Sequence, residues 1–371
     1  MAGAGLVLRH PRGSTPIWIG EGALEQAAEA VGAWLAERTV FLITSQPILA
    51  LHGASLMRIL KHAGRVEMLD VADGEAAKSL EQAGYLWQEM IRLGGKRDSR
   101  VLAFGGGSVG DLAGFAAGCF LRGIEVAQFP TTLLAQVDAA LGGKTAIDLP
   151  AGKNMVGVFH HPRFVVAEAR YLPTLPAREL RSGLVEAIKM GFGLNRELFE
   201  SLERKLEAVL AGDPKVLGPL AFEAARTKVR VVEEDPEEQD RRRLLNLGHT
   251  LGHALEAAAG YEGLAHGEAV AYGLLFMLRL AVPRGLELES ALRLARLLSR
   301  LDLPALPAFE LATVLSFLAR DKKAREGGLP WVLATALGES RVVSGIGPEE
   351  VEREAASFLA APWSLLGGGA G

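Results

Sequence analysis

The pattern of this chain changes once along its length, near Leu175, and that change restricts the folds open to it. Before it, short β-branched and apolar runs alternate with stretches of helical spacing. Residues 39–43 (TVFLI), 101–104 (VLAF), 125–129 and 164–167 read as strands. Between them, residues 76–93 repeat Leu80, Ala83, Leu86, Trp87, Met90 and Ile91 at roughly helical intervals. Strands alternating with helices predict a parallel sheet covered on both faces, here a Rossmann-like α/β domain over residues 1–175. After the change the strand runs nearly stop. Residues 178–194, 197–210, 215–234, 247–259, 267–282 and 290–301 read as helices, with Pro214 at a start and Gly260 at a stop. A short strand is predicted at 331–334. Residues 176–371 therefore read as a mostly α-helical domain.

The chain has 371 residues with 40 basic and 44 acidic side chains, a formal charge of −4. That balance argues against a nucleic-acid partner, so any anion site must be built locally. The lone Cys119 excludes a disulfide framework and a four-cysteine metal site. No apolar run approaches the roughly 18 residues of a membrane span, and the first residues lack the pattern of a signal peptide. A cytoplasmic enzyme or binding protein is the expectation.

Two segments of the first half carry anion-binding chemistry. Residues 100–111 (RVLAFGGGSVGD) run from a strand into a glycine cluster and then a helix. Gly105, Gly107 and Gly110 fit G-x-G-x-x-G, in which bare backbone can approach a phosphate at a helix N-terminus. The competing reading is a tight packing turn. Residues 130–157 follow, with Thr131, Thr132 and Asp138 and with Lys144 and Lys153 each after a glycine. Neither lysine sits in a Walker frame. The bland reading is a solvated loop with two surface lysines; the preferred one is an anion site, with the lysines converging on a phosphate or carboxylate.

In the second half, three histidines lie within 18 positions. His249 and His253 are four apart and share one helix face, and His266 follows a short loop. Glu256 and Glu268 lie nearby, and Glu186 and Lys189 sit one turn apart upstream. Histidines with one carboxylate suit catalytic zinc. Spacing alone nominates His249 and His253 as a ligand pair with His266 third. The bland alternative makes them helix caps or neutral core residues.

Taken together, GGGSVGDLAGFAA, PTTLLAQVDAALGGKTAIDLPAGKNMVG, LPARELRSGLVEAIKMG, RLLNLGHTLGHALE, HGEAVAYG and RDKK resemble the 3-dehydroquinate synthase family of sugar phosphate cyclases. The resemblance runs from Asp73 to Lys323 in the family's order. It implies a cytoplasmic homodimer that uses NAD and Zn2+, or Co2+ in its place. It implies metal ligands Glu186, His249 and His266, which leaves His253 facing the substrate phosphate. The implied cofactor residues are Asp73, Gly74, Glu75, Lys78, Gly106, Gly107, Ser108, Val109, Gly110, Asp111, Thr131, Thr132, Lys144, Lys153, Tyr171, Leu172, Pro173 and Thr174. The implied catalytic and substrate residues are Asp138, Lys144, Asn154, Lys189, Lys228, Glu238, Arg242, Asn246, His253 and Lys322, with Arg122 at the dimer interface. Relatives often carry Asp or Asn near the adenosine ribose; here Thr44-Ser45-Gln46 offers hydrogen bonds without charge.

The implied reaction converts the seven-carbon acid phosphate DAHP into 3-dehydroquinate and phosphate, in the shikimate pathway. NAD oxidises the C5 hydroxyl, the C6 proton becomes acidic, phosphate leaves from C7, the hydride returns, and an intramolecular aldol closes the ring. The alternatives are a cyclase of sedoheptulose 7-phosphate or glucose 6-phosphate, and a metal-dependent polyol dehydrogenase.

Overall fold

A computed structural model describes residues 5–150, 152–261, 263–323 and 330–366, with backbone alone for 320–323 and 366. The chain opens on an antiparallel pair, β1 (Leu6–His10) and β2 (Gly13–Gly20). It continues through α1 (Ala23–Leu35), β3 (Thr39–Thr44), α2 (Gln46–Leu60), β4 (Arg65–Asp70) and α3 (Leu80–Arg92). Then come β5 (Arg100–Gly105), α4 (Gly107–Cys119) and β6 (Glu125–Pro130), a hairpin of β7 (Lys144–Leu149) and β8 (Gly152–Phe159), and β9 (Val165–Glu168). Seven strands form one sheet in the order β1-β2-β9-β6-β5-β3-β4. Every pairing but β1 with β2 is parallel.

The continuous apolar runs explain the sheet's interior. Phe41, Ile43, Val101 and Ala103 pack into one core layer, and Val40, Leu42, Leu102 and Phe104 into the other. Strands covered on both faces need apolar side chains at every position, which is what these runs supply. The chain runs β3 to β4 towards one edge, then returns past β3 to β5 and on to β6. The strand order therefore reverses between β3 and β5. In open α/β sheets ligands bind beyond the carboxyl ends of the strands at such a reversal.

The remaining elements are mostly helical: α5 (Ala177–Leu194), α6 (Arg196–Leu210), α7 (Pro214–Glu234), α8 (His249–Ala258), α9 (His266–Ala281), α10 (Leu288–Ser299) and α11 (Leu311–Lys323), then β10 (Trp331–Ala336) paired with β11 (Glu339–Val343), and α12 (Pro348–Ala360). The chain divides into two compact units. Residues 1–180 with 208–237 form the first, so α7 belongs to the sheet-bearing unit; residues 181–207 with 238–371 form the second. Among the described residues no helix is long and apolar enough to cross a membrane.

The expected class, a parallel sheet followed by a helical region, is the observed one. Local details differ. The helix predicted over 76–93 is split into a 3-10 turn, Gly74–Ala77, and α3. Ser79 divides them, its hydroxyl accepting a hydrogen bond from the backbone N–H of Gln82 as an N-cap. Residues 130–157, read as a loop, fold into a π-helical turn at Ala135–Ala139 and the β7–β8 hairpin.

Candidate active site

In the first unit, the carboxyl end of β5 leads through Gly106 into α4, whose N-terminus has no side-chain cap. Its first N–H groups are thus available for an anion. The glycines also serve packing. A Cβ at Gly105 would lie 2.8 Å from Val109, one at Gly110 2.7 Å from Gln128, and one at Gly114 2.3 Å from Thr145. The packing-turn reading thus holds in this segment. The Thr131 hydroxyl, next to this turn, is buried without a hydrogen-bond partner, as is that of Thr44 at the end of β3. Thr132 accepts from the N–H of Ala135.

Three separated segments meet at Lys78, which is buried. Its ammonium donates to Asp111 at 2.8 Å and to Asn154, and lies 3.9 Å from both Glu75 and Asp148. Burial opposes the charge, but Asp111 and Glu75 outweigh it and hold Lys78 above the ordinary lysine range. Glu75 also accepts from Ser108 at 2.8 Å and lies 3.5 Å from Lys153. Asn154 adopts φ of 55°, and its N–H donates to Asp148 at 2.7 Å. The sequence reading does not single out Asp148, whose signal was hidden in a segment read as loop. Asp73 is exposed and accepts from Ser45 at 2.9 Å. Gly74 continues the turn, and Gly107 and Val109 lie in the first turns of α4.

Other predicted residues group separately. Lys228, buried on α7, donates to the Asp138 carbonyl at 2.6 Å and to its carboxylate. Asp138 lies in the π-helical turn, a geometry frequent at functional sites. Lys144 is exposed at the start of β7. Tyr171 and Leu172 are buried, and Pro173 and Thr174 are exposed; Tyr171 shares a 2.8 Å hydrogen bond with Ser55, and Thr174 donates to its carbonyl at 2.7 Å. Arg122 is exposed in the turn after α4. In the second unit Asn246 donates to Glu238 at 2.8 Å, and Arg242 is buried. Lys322 lies in the last turn of α11; its side chain lies outside the described residues.

The metal-type group lies wholly within the second unit. Glu186 comes from α5, His249 from the start of α8 and His266 from the start of α9. Each histidine Nε2 lies 3.5 Å from Glu186 Oε1. The other ring nitrogens are engaged. His249 Nδ1 is 3.2 Å from the Leu247 carbonyl, and His266 Nδ1 is 3.2 Å from Glu256. Partners of this kind fix the ring and aim Nε2 at an ion. Glu256 shares a helix face with His249 and His253, and that spacing is the signal for it. Small residues let the helices approach. A Cβ at Gly267 would lie 2.4 Å from Ser182, and one at Gly273 1.9 Å from the Gly248 carbonyl.

Charge in this group is polarised. Burial opposes ionisation of Glu186, but Lys189 and His249 outweigh it and hold the carboxyl well below the usual range. Burial, with Lys189 beside it, keeps His249 neutral. Burial acts the same way on His266, yet the Glu186 and Glu256 carboxylates beside it push it up to about 10. His253 is exposed, its ring 5.1 Å from that of His249 and 6.1 Å from that of His266.

Two family models match in succession: 3-dehydroquinate synthase N-terminal over residues 68–182, and 3-dehydroquinate synthase C-terminal over 183–324. The chain belongs to the 3-dehydroquinate synthase family. A synthase of that name from Symbiobacterium thermophilum is 44% identical over 342 residues, which is 91% of this chain and 95% of the relative. Among solved structures, 2-deoxy-scyllo-inosose synthase with carbaglucose-6-phosphate, NAD+ and Co2+ superposes with a TM-score of 0.85 at 26% identity, over 95% of this chain and 99% of that one. A 2-epi-5-epi-valiolone synthase from Streptomyces hygroscopicus with NAD+ and Zn2+ gives 0.85 at 28% identity, over 93% and 96%.

The residues present fit such groups. Glu186 is fully buried, yet no hydrogen bond of good geometry reaches either carboxylate oxygen; Lys189 only pairs with it ionically. A buried carboxylate of that kind, with two imidazoles 3.5 Å away, is a donor set for a divalent ion with open positions. The uncapped α4 and the orphaned Thr131 hydroxyl suit a dinucleotide in the same way.

Proposed function

We infer that this chain is a 3-dehydroquinate synthase, converting DAHP into 3-dehydroquinate and phosphate. The observation that carries the reading is the convergence of Glu186, His249 and His266 from three helices, in a chain that matches both halves of the family. On this reading those three hold Zn2+ or Co2+. Asp73 to Lys78, Gly106 to Asp111, Thr131, Thr132, Lys144, Lys153 and Tyr171 to Thr174 hold NAD. The bound groups supply a transient hydride acceptor and a Lewis acid for the C5 hydroxyl.

The chain's own residues bind and orient. The family's substrate contacts fall on Asp138, Lys144, Asn154 and Lys228 of the first unit, and on Lys189, Glu238, Arg242, Asn246, His253 and Lys322 of the second. The cations among them match the carboxylate and phosphate of DAHP. Orientation of this kind can supply up to about 7–11 kcal/mol of barrier lowering. Lys189, buried against Glu186, keeps that carboxylate ionised. Other sugar phosphate cyclases share the fold at 26–28% identity, while a named synthase reaches 44%, which favours the acid substrate over sedoheptulose 7-phosphate or glucose 6-phosphate.

We place the reaction in the cytoplasm and the enzyme in a homodimer. Exposed Leu121, Met155, Val156 and Phe159, near Arg122 in sequence or on β8, support a partner surface. The deciding experiment incubates the protein with DAHP, catalytic NAD and Zn2+. Phosphate and dehydroquinate are expected in equal amounts with no net NADH. Net NADH would indicate a dehydrogenase, and turnover of neutral sugar phosphates alone another cyclase.

A further inference from the structure

Gln136 lies in the π-helical turn Ala135–Ala139 and is fully buried. Its backbone N–H donates to the Thr132 carbonyl at 3.0 Å. Both N–H bonds of its side-chain amide are spent on strand ends. One goes to the carbonyl of Pro130, the last residue of β6, at 3.1 Å, and the other to the carbonyl of Glu168, the last of β9, at 3.0 Å. These strands pair through Gln128 and Val165, and nearer their carboxyl ends the amide of Gln136 joins them. The amide oxygen is buried without a hydrogen-bond partner. An unsatisfied buried acceptor is a cost to folding. An apolar side chain of the same shape would avoid that cost but could not tie the turn to the sheet.

We propose that Gln136 is a positioning residue for Asp138. The proposal rests on Asp138 being a substrate contact, as the functional reading has it. Asp138 stands two positions on in the same turn, and its side chain keeps 24% of its surface in solvent. Lys228 of α7 grips its carbonyl at 2.6 Å and its carboxylate. The turn is thus held from two sides, to the sheet through Gln136 and to α7 through Lys228. Its own bonding is of the rare π type: the Ala140 N–H donates to the Ala135 carbonyl, five residues back, at 3.0 Å. Without the Gln136 bonds the segment can relax toward α-helical winding, which turns Asp138 about the helix axis. Lys228 alone cannot prevent this, because its long flexible stem follows a moving partner. The strand ends supply the fixed reference, and Gln136 transmits it to Asp138.

A double-mutant cycle with DAHP, on protein loaded with NAD and Zn2+, tests this. Gln136→Met keeps the length of the side chain and removes both donors. It is expected to lower kcat/KM by about 10–100-fold, the scale of a misplaced reacting group. Asp138→Asn is expected to lower it at least as much. Because Gln136 acts through Asp138, the double variant is expected to lie within about threefold of Asp138→Asn alone. A merely structural role gives losses that multiply, and that result overturns the proposal. So does unchanged kcat/KM in Gln136→Met. Circular dichroism checks folding. Should Gln136→Met not fold, Gln136→Asn replaces it in the cycle, its amide one carbon too short to serve both carbonyls. Full activity in Asp138→Asn overturns the reading of Asp138 as a substrate contact and the proposal with it, so the two failures are distinguishable.

Discussion

A buried ligand is only as well placed as the group behind it. His249 leans on a backbone carbonyl, which cannot be mutated away, but His266 leans on Glu256 at 3.2 Å. Glu256→Gln keeps the shape and removes the negative charge. It should weaken the resting metal by about 10–100-fold, the usual loss for an outer partner of a metal-bound histidine. Chelator competition measures this, and unchanged affinity would mean that Glu256 does not orient the ring. Lys78 holds its position by charge. Lys78→Met leaves Asp111, Glu75 and Asp148 without their shared cation. Removal of one partner of a buried pair costs about 3–5 kcal/mol, and the loss here should lie at the lower end. The reason is exposure: the Asp111 and Asp148 side chains each keep 20% of their surface in solvent. The variant should melt earlier and bind NAD more weakly, read by calorimetry with and without the dinucleotide.

At the scale of elements, glycines decide how closely helices may pack. A methyl at position 273 would sit 1.9 Å from the Gly248 carbonyl, where backbone must move rather than a flexible side chain. Gly273→Ala should therefore separate α8 from α9 and part His249 from His266. Overpacking of this kind costs typically about 1–3 kcal/mol, against about 1 kcal/mol gained in helix propensity. We expect a lower melting temperature together with weakened metal binding; a variant that melts earlier but binds metal as before would detach the packing from the site. The same level explains what the sequence made legible. Strands β3, β5, β6 and β9 are covered on both faces and announce themselves as apolar runs. Strand β4, RVEMLD, lies at the sheet edge with Val66 and Met68 exposed, so its pattern is weak. The β7–β8 hairpin is rich in glycine and lysine, and its strands pair only with each other, so it reads as a loop. In the site, spacing along α8 draws His249 and His253 together and points to Glu256. It cannot reach Glu186, because α5 is brought beside α8 and α9 by tertiary packing that no local period encodes. The resemblance, not the periodicity, put Glu186 forward.

For the molecule as a whole, three histidines of the sheet-bearing unit set a pH limit. His52 lies behind Thr174 and Tyr171, His160 is 2.8 Å from the Ile124 carbonyl, and His10 stacks on His161 at 3.7 Å. Burial lowers the pKa of all three, and Arg12 adds to the effect at His10 and His160. In the unfolded chain each returns to about 6.5. The sign follows from linkage. Below about 6.5 the unfolded chain takes up protons that the folded chain refuses, so acid favours unfolding. The stabilising contribution is complete above that pH and is lost as pH falls through the lowered native values. Each group adds a slope of at most about 1.4 kcal/mol per pH unit. In the metal-free protein His249, lowered by burial, adds to this slope, and His266, raised to about 10, opposes it; with four groups against one, the protein should melt progressively earlier from pH 7.5 to 5.5, a window above most carboxylate titration. His52→Gln, which keeps a polar group near Thr174 but cannot take up a proton, should flatten that dependence even if it lowers the melting temperature at pH 7.5. A slope identical to that of the unaltered chain would show that His52 is protonated as readily in the fold as in water.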